Sequence, residues 1–162
     1  GRLVLDLIGD GPMMAELKAQ AEASGISAGV TFHGWLAHDA VQDVACRASV
    51  LAFPSIREFG GGVVLEAMAM GLVPLIVDYA GPGELVGEGL GYKVPLGTRD
   101  EIVAAFRERL EWMTDYPAEL VEISTSAHAR VKEAFTWARK AEQVAEVYDW
   151  VQKPSKPKPK LF

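Results

Sequence analysis

Residues 54–71 read PSIREFGGGVVLEAMAMG, with seven residues separating Glu58 from Glu66 and Gly60, Gly61 and Gly62 among them. The apolar run at 50–53 ends in Pro54-Ser55, and from about Gly62 onward Val63, Glu66, Ala67 and Met70 recur at helical spacing. The glycines therefore mark a strand-to-helix turn. Without Cβ atoms they let a ligand approach the backbone, and the unpaired N–H groups that open the next helix attract an anion such as phosphate. Glu58 stands at the entrance of the turn and Glu66 one helical turn inside. Carboxylates do not hold an anion, but they accept hydrogen bonds from hydroxyl groups, as the acidic residue of a dinucleotide site does from ribose. A molecule carrying both a diphosphate and sugar hydroxyls would satisfy all of these groups. The competing reading is a pair of acids favoured by the helix macrodipole, with the glycines a flexible turn.

Strand and helix patterns alternate outward from this turn. Residues 3–8 read as a buried strand, 13–23 as a helix with Pro12 at its start, and 29–32 as a short strand. Residues 37–47 read as a helix, 73–77 as a strand, 80–86 as a turn and short helix, and 91–94 as a last short strand. From Arg99 the pattern is helical, with breaks at Pro117 and near Phe135 and with Thr136 as cap of the final helix. The fold class is α/β: a Rossmann-like parallel sheet with helices on both faces and a helical C-terminal segment. Ligands of such sheets bind beyond the carboxyl ends of the strands, so residues 9–12, 33–35, 55–62 and 78–83 are expected to share one rim.

The chain has 162 residues, 49% of them hydrophobic, enough for one cored domain. No segment is long and apolar enough to cross a bilayer, and no secretory signal is visible. A single cysteine, Cys46, cannot form an intrachain disulfide and reads as a small buried hydrophobe; a cytoplasmic location is expected. The net charge is −6, although four lysines fall in the last ten residues, so the body is more acidic still and nucleic acid is not an expected partner. Residues 153–162, a Lys/Pro-rich stretch, are expected to be a disordered tail after a domain at 1–152. The tail could lie against anionic lipid, making the protein membrane-associated, or serve only as a solubilising end. Three separated histidines, one cysteine and no Asp-x-Asp pair provide no metal site. An NAD-binding dehydrogenase domain is disfavoured, because the glycines after the first strand do not form G-x-G-x-x-G. Asp78 and Glu84 flank the Gly81-Pro82-Gly83 turn, with Glu84 expected to cap its short helix. His33 is expected at a strand end facing the cleft. Trp112, Trp137, Trp150 and Tyr148 read as packing residues.

The series LVLDLIGDGPMMAELKAQA (3–21), VTFHGWLAHDAVQDVACRASVLAFPS (30–55), the double-glutamate segment, VPLIVDYAGPGELVGEGLGYKVPLG (73–97) and FTWARKAEQVAEVYDWV (135–151) resembles glycosyltransferase family 4, the glycosyl transferases group 1. The likeness is to the C-terminal, nucleotide-sugar-binding domain of the two-domain GT-B fold, and it covers nearly the whole chain to Val151. It implies a retaining, metal-independent transfer of a hexose from a nucleoside diphosphate sugar to an acceptor hydroxyl, with no cofactor. Glu66 would bind ribose hydroxyls and Glu58 the donor sugar. Gly60, Gly61 and Gly62, with the amides of Val63 and Val64, would cradle the diphosphate, and Gly9 and Gly34 would lie near the nucleotide; the alternative for those two is plain turn chemistry.

This sequence departs from the family pattern at Phe59 and Gly60: the aromatic stands one place after the first glutamate instead of two, which leaves open what lies beneath the donor sugar. Arg57 could contact the diphosphate or be a solvated surface residue. The family's domain begins with a strand, a turn and a helix bearing an Arg and a Lys that grip the diphosphate, whereas this chain starts at the following strand. The resemblance therefore implies an N-terminally truncated domain with two unpaired strand edges. These would be complemented by the missing N-terminal domain, by another chain, or by homo-oligomeric edge pairing. Such a chain alone would be inactive. The second function class is a nucleotide-sugar-binding or assembly module without catalysis.

Overall fold

The computed structural model describes residues 3–153, 155 and 157–159. Five strands, β1 (Leu5–Ile8), β2 (Val30–Gly34), β3 (Val50–Phe53), β4 (Val73–Val77) and β5 (Tyr92–Val94), alternate with helices α1 (Met14–Ala23), α2 (His38–Ala45), α3 (Gly62–Ala69) and α4 (Ala80–Leu85). Three further helices follow: α5 (Arg99–Asp115), α6 (Pro117–Ala134) and α7 (Trp137–Gln152). All pairing is parallel, as short strands linked by helices require. The strands form two sheets, β1–β2 and β3–β4–β5.

β4 organises the core because every one of its residues is buried. Val73, Leu75 and Val77 face one side, where Val94 and the α5 residues Ile102, Phe106 and Met113 cover them. Ile76 faces the other side with Val64 and Met68 of α3, Val86, and Ala127 of α6. Alternation along the strand thus places helices on both faces of this sheet. Pro74 is tolerated in the middle strand because β4–β5 pairing starts one residue later, at Leu75 opposite Tyr92, so its missing N–H falls outside that ladder.

The β1–β2 unit differs. Residues 3–8 read as a buried strand, yet Leu3, Val4, Leu5 and Ile8 are exposed. β1 pairs with β2 on one edge only, and among the described residues no strand pairs with its other edge; β3 is likewise paired only with β4. An apolar strand is buried only where something covers it.

Helix ends explain how α3 is held. Ser124 Oγ of α6 donates to the Gly71 carbonyl at 2.6 Å, and His128 Nδ1 lies 2.8 Å from the Ala69 carbonyl. The C-terminal carbonyls of α3 are thereby satisfied from a neighbouring helix, which fixes its axis. The expected breaks fall in place: Pro117 opens α6 at its first turn, and Thr136 Oγ1 accepts from the Arg139 amide at the start of α7.

At α5 a capping box forms, in which Glu101 Oε2 accepts from Thr98 N and Thr98 Oγ1 at 2.8 and 2.7 Å. The Thr98 hydroxyl, then its amide, hold the Glu101 carboxyl below its ordinary range. A depressed folded-state value stabilises the protein above the unfolded carboxylate range, and that stabilisation disappears as pH falls through the folded value. Thr98→Val is therefore expected to lower Tm at neutral pH, with the gap to the parent closing in acid, as thermal melts across a pH series will read.

Three expectations about single residues are corrected. Cys46, the C-cap residue of α2, is exposed and not buried. Of the four aromatics read as packing residues, Trp112 does pack, edge-on to Tyr92 and stacked on Tyr116. Trp137 and Tyr148 do not: they are 90% and 65% exposed on α7, a helix with no buried residue, while Trp150 is half-buried. Glu84 lies in the last turn of α4 and cannot cap its start. The Lys/Pro stretch falls partly outside the described residues, Lys156 and Lys160 included; Lys153 closes α7 through an ion pair with Asp149 at 2.8 Å.

Candidate functional site

The site is built where β3 runs through the glycine turn into α3. Gly61 is the N-cap of α3 and adopts a left-handed conformation, φ 69°, which glycine reaches without strain. A Cβ there would also meet Leu85 Cδ1 at 2.9 Å and Pro82 N at 3.1 Å, so the turn is pressed onto α4. The contact is reciprocal. Gly81 N donates to the Phe59 carbonyl at 3.1 Å, and a Cβ on Gly81 would collide with that same oxygen and lie 2.8 Å from Gly60 C. Two glycines from successive strand–helix turns thus let two backbones touch. Beside them Ala80 carries a positive φ of 47°, a conformation costly for a residue with a Cβ.

Between the turns opens a cleft of about 400 Å³ lined by Phe59, Gly60, Ala80, Gly81, Glu84 and Leu85. Phe59 is 96% exposed there. The loops 55–62 and 78–83, expected on one rim, do meet here; the sequence does not say that Glu84 and Leu85 of α4 complete the cleft with Phe59. The Lys93 ammonium, also unforeseen, bridges Asp78 Oδ1 at 3.0 Å and the Gly83 carbonyl at 3.2 Å, tying β5 to the α4 turn.

The backbone donors are divided. Glu58 Oε1 accepts from Gly60 N at 3.1 Å and Gly61 N at 3.0 Å. Val64 N donates to the Gly61 carbonyl at 2.9 Å, and the Val64 side chain is fully buried in the core. The amides of Gly62 and Val63 have no acceptor among the described residues, and no side chain caps the helix. These two N–H groups, aligned with the α3 dipole, are the open anion donors of the turn. Of the cradle read from the sequence, Val64 is therefore engaged within the helix, and Gly60 and Gly61 are engaged by Glu58.

Glu66 lies on α3 one turn beyond Gly62; it is exposed, and its carboxylate has no ion-pair or hydrogen-bond partner among the described residues. Gly9 and Gly34 come together at the end of β1–β2, where Gly9 N donates to the Gly34 carbonyl at 2.8 Å. They share no hydrogen bond with the Gly60–Gly62 turn among the described residues. His33 Nε2 meets Asp6 Oδ1 at 2.7 Å, a cross-strand pair within that same unit. Arg57 is exposed beside Glu58.

A family model described as "Glycosyl transferases group 1" matches residues 1–127, a span that contains both turns and both glutamates. The chain belongs to the glycosyl transferases group 1 family. A relative, the 2-deoxystreptamine N-acetyl-D-glucosaminyltransferase of Streptomyces fradiae, is 34% identical over 114 residues, 69% of this chain and 26% of that protein. Among solved structures, Anabaena Alr3699/HepE, crystallised with UDP, superposes with a TM-score of 0.73 at 23% identity over 91% of this chain and 41% of the other. The pneumococcal O-GlcNAc transferase GtfA, crystallised with UDP and GlcNAc, gives 0.77 at 17% identity over 93% and 30%. This family member therefore spans less than half the length of these relatives. The structural likeness bears out the α/β class with parallel sheets flanked by helices, the architecture of GT-B C-terminal domains.

Proposed function

We propose that this chain is the donor-binding half of a retaining, metal-independent family 4 glycosyltransferase that moves a hexose from a nucleoside diphosphate sugar to an acceptor hydroxyl. The observation that carries the reading is the pair of open amides, Gly62 and Val63, at the mouth of α3 between Glu58 and Glu66. The diphosphate sits on these amides, and Glu66 accepts from the ribose hydroxyls. The hexose lies toward Glu58 and the cleft that Phe59 lines, and Gly9 and Gly34 line the nucleotide side. As the bond to the anomeric carbon breaks, charge grows on the leaving diphosphate, and fixed N–H dipoles stabilise that state more than the ground state. Glu58 and Glu66 orient the donor.

The acceptor and the remaining catalytic groups come from other parts of the whole protein, so this chain alone is expected to bind donor without efficient turnover. The edges of β1 and β3 that no strand pairs among the described residues, with Leu3, Val4, Leu5 and Ile8 exposed, support a partner strand supplied by the N-terminal portion, by another chain or by a second copy. The same edges favour the second reading, a nucleotide-sugar-binding or assembly module that does no chemistry of its own. A cytoplasmic location, with the Lys/Pro tail against anionic lipid and a lipid or envelope glycan as acceptor, completes the proposal. Calorimetric titration of UDP, GDP and ADP and their sugars into this chain and into a two-domain version tests it. Donor binding by both, with transfer only by the latter, is expected; donor binding by neither overturns it.

A further inference from the structure

The Glu58 carboxylate already engages two of the four successive amides at the turn, those of Gly60 and Gly61, and leaves the other two open. Its Oε1 lies within 3.0 and 3.1 Å of the Gly61 and Gly60 amides, immediately before the open amides of Gly62 and Val63. Backbone N–H groups bond a carboxylate oxygen and a phosphate oxygen alike. A diphosphate seated on Gly62 and Val63 brings like charge against this carboxylate, and the two anions compete for one short row of donors. Nothing lies within 4 Å of a Cβ position on Gly60 or Gly62, so the outer face of the turn has room for the exchange.

Resting on the donor-site reading above, we propose that Glu58 is an internal competitor of the diphosphate, which selects the sugar-bearing donor over its spent nucleoside diphosphate. When a nucleotide sugar displaces the carboxylate from Gly60 and Gly61, sugar hydroxyls take up the acceptor capacity it loses. A bare nucleoside diphosphate displaces it with no such compensation, leaving an anion beside an anion. After transfer, return of Glu58 to the two amides accompanies release of the product.

The test is titration of this chain with UDP, GDP and ADP and with UDP-glucose, GDP-mannose and ADP-glucose, for the parent, Glu58→Ala and Glu58→Gln, with thermal melts to verify folding. Both variants are expected to bind the preferred bare diphosphate about tenfold more tightly while gaining nothing for the sugar donor. Glu58→Gln keeps an oxygen for the two amides, so a gain in that variant reports removal of charge and not collapse of the turn. Equal weakening of both ligands, or an unchanged ratio between them, overturns the inference and leaves the donor site standing. A parent chain that binds none of the six compounds overturns the donor reading itself, and this inference with it.

Discussion

Glu66→Ala is expected, on the proposed donor-binding reading, to lower kcat/KM for transfer by a two-domain version of the protein by about a hundredfold, the loss of two hydrogen bonds from donor hydroxyls to a charged acceptor. The structure makes this a clean experiment. Glu66 is exposed on α3 and its carboxylate has no partner among the described residues, so its removal should alter folding stability by less than about 0.5 kcal/mol. Glu66→Gln should recover part of the loss, because the amide oxygen still accepts. Steady-state kinetics with thermal melts on the same samples separate the two quantities. An unchanged kcat/KM would mean that the second glutamate is only a surface acid near the start of a helix.

Gly81→Ala is expected to destabilise the chain by about 3 kcal/mol, the cost of forcing a methyl group into a contact that cannot repack. The obstruction is backbone: the Phe59 carbonyl oxygen that accepts from Gly81 N, with Gly60 C at 2.8 Å behind it. The two turns must part for the methyl group to fit, so nucleotide binding should weaken together with stability. Ala80→Gly supplies the contrast. It relaxes a residue held at φ 47° and should be tolerated. Urea denaturation reads both, through the midpoint at unchanged m value. A Gly81→Ala protein as stable as its parent would show that α4 does not rest on the glycine turn.

The segments that could be read from sequence are those whose local signals agree with their burial. Val50–Phe53 and Val73–Val77 are short apolar runs bounded by turns, and both strands keep those limits. Pro117 and Thr136 mark helix starts by chemistry that acts within one turn. Where tertiary partners decide, the sequence misleads. Residues 3–8 have the composition of a buried strand, but among the described residues β1 is paired on one edge only and Leu3, Val4, Leu5 and Ile8 are exposed. The second strand reaches Gly34 and not Phe32, because its end is set by the hydrogen bond from Gly9, a residue far away in the chain. At the site, the spacing of Glu58 and Glu66 around the glycines located the turn. It could not say that Glu58 folds back onto Gly60 and Gly61, since a side-chain rotamer and two amide directions decide that. Nor could it say that Phe59 and Glu84, from different turns, line one cleft.

The amides opening α3 are expected to receive a diphosphate, which a ¹H–¹⁵N correlation titration of this chain with UDP, GDP and ADP will read residue by residue. Saturable shifts, largest at Gly62 and Val63 and followed by Gly60 and Gly61, are expected with at least one of the three nucleotides. Binding that leaves the Gly62 and Val63 resonances in place while moving others would show that the diphosphate lies elsewhere.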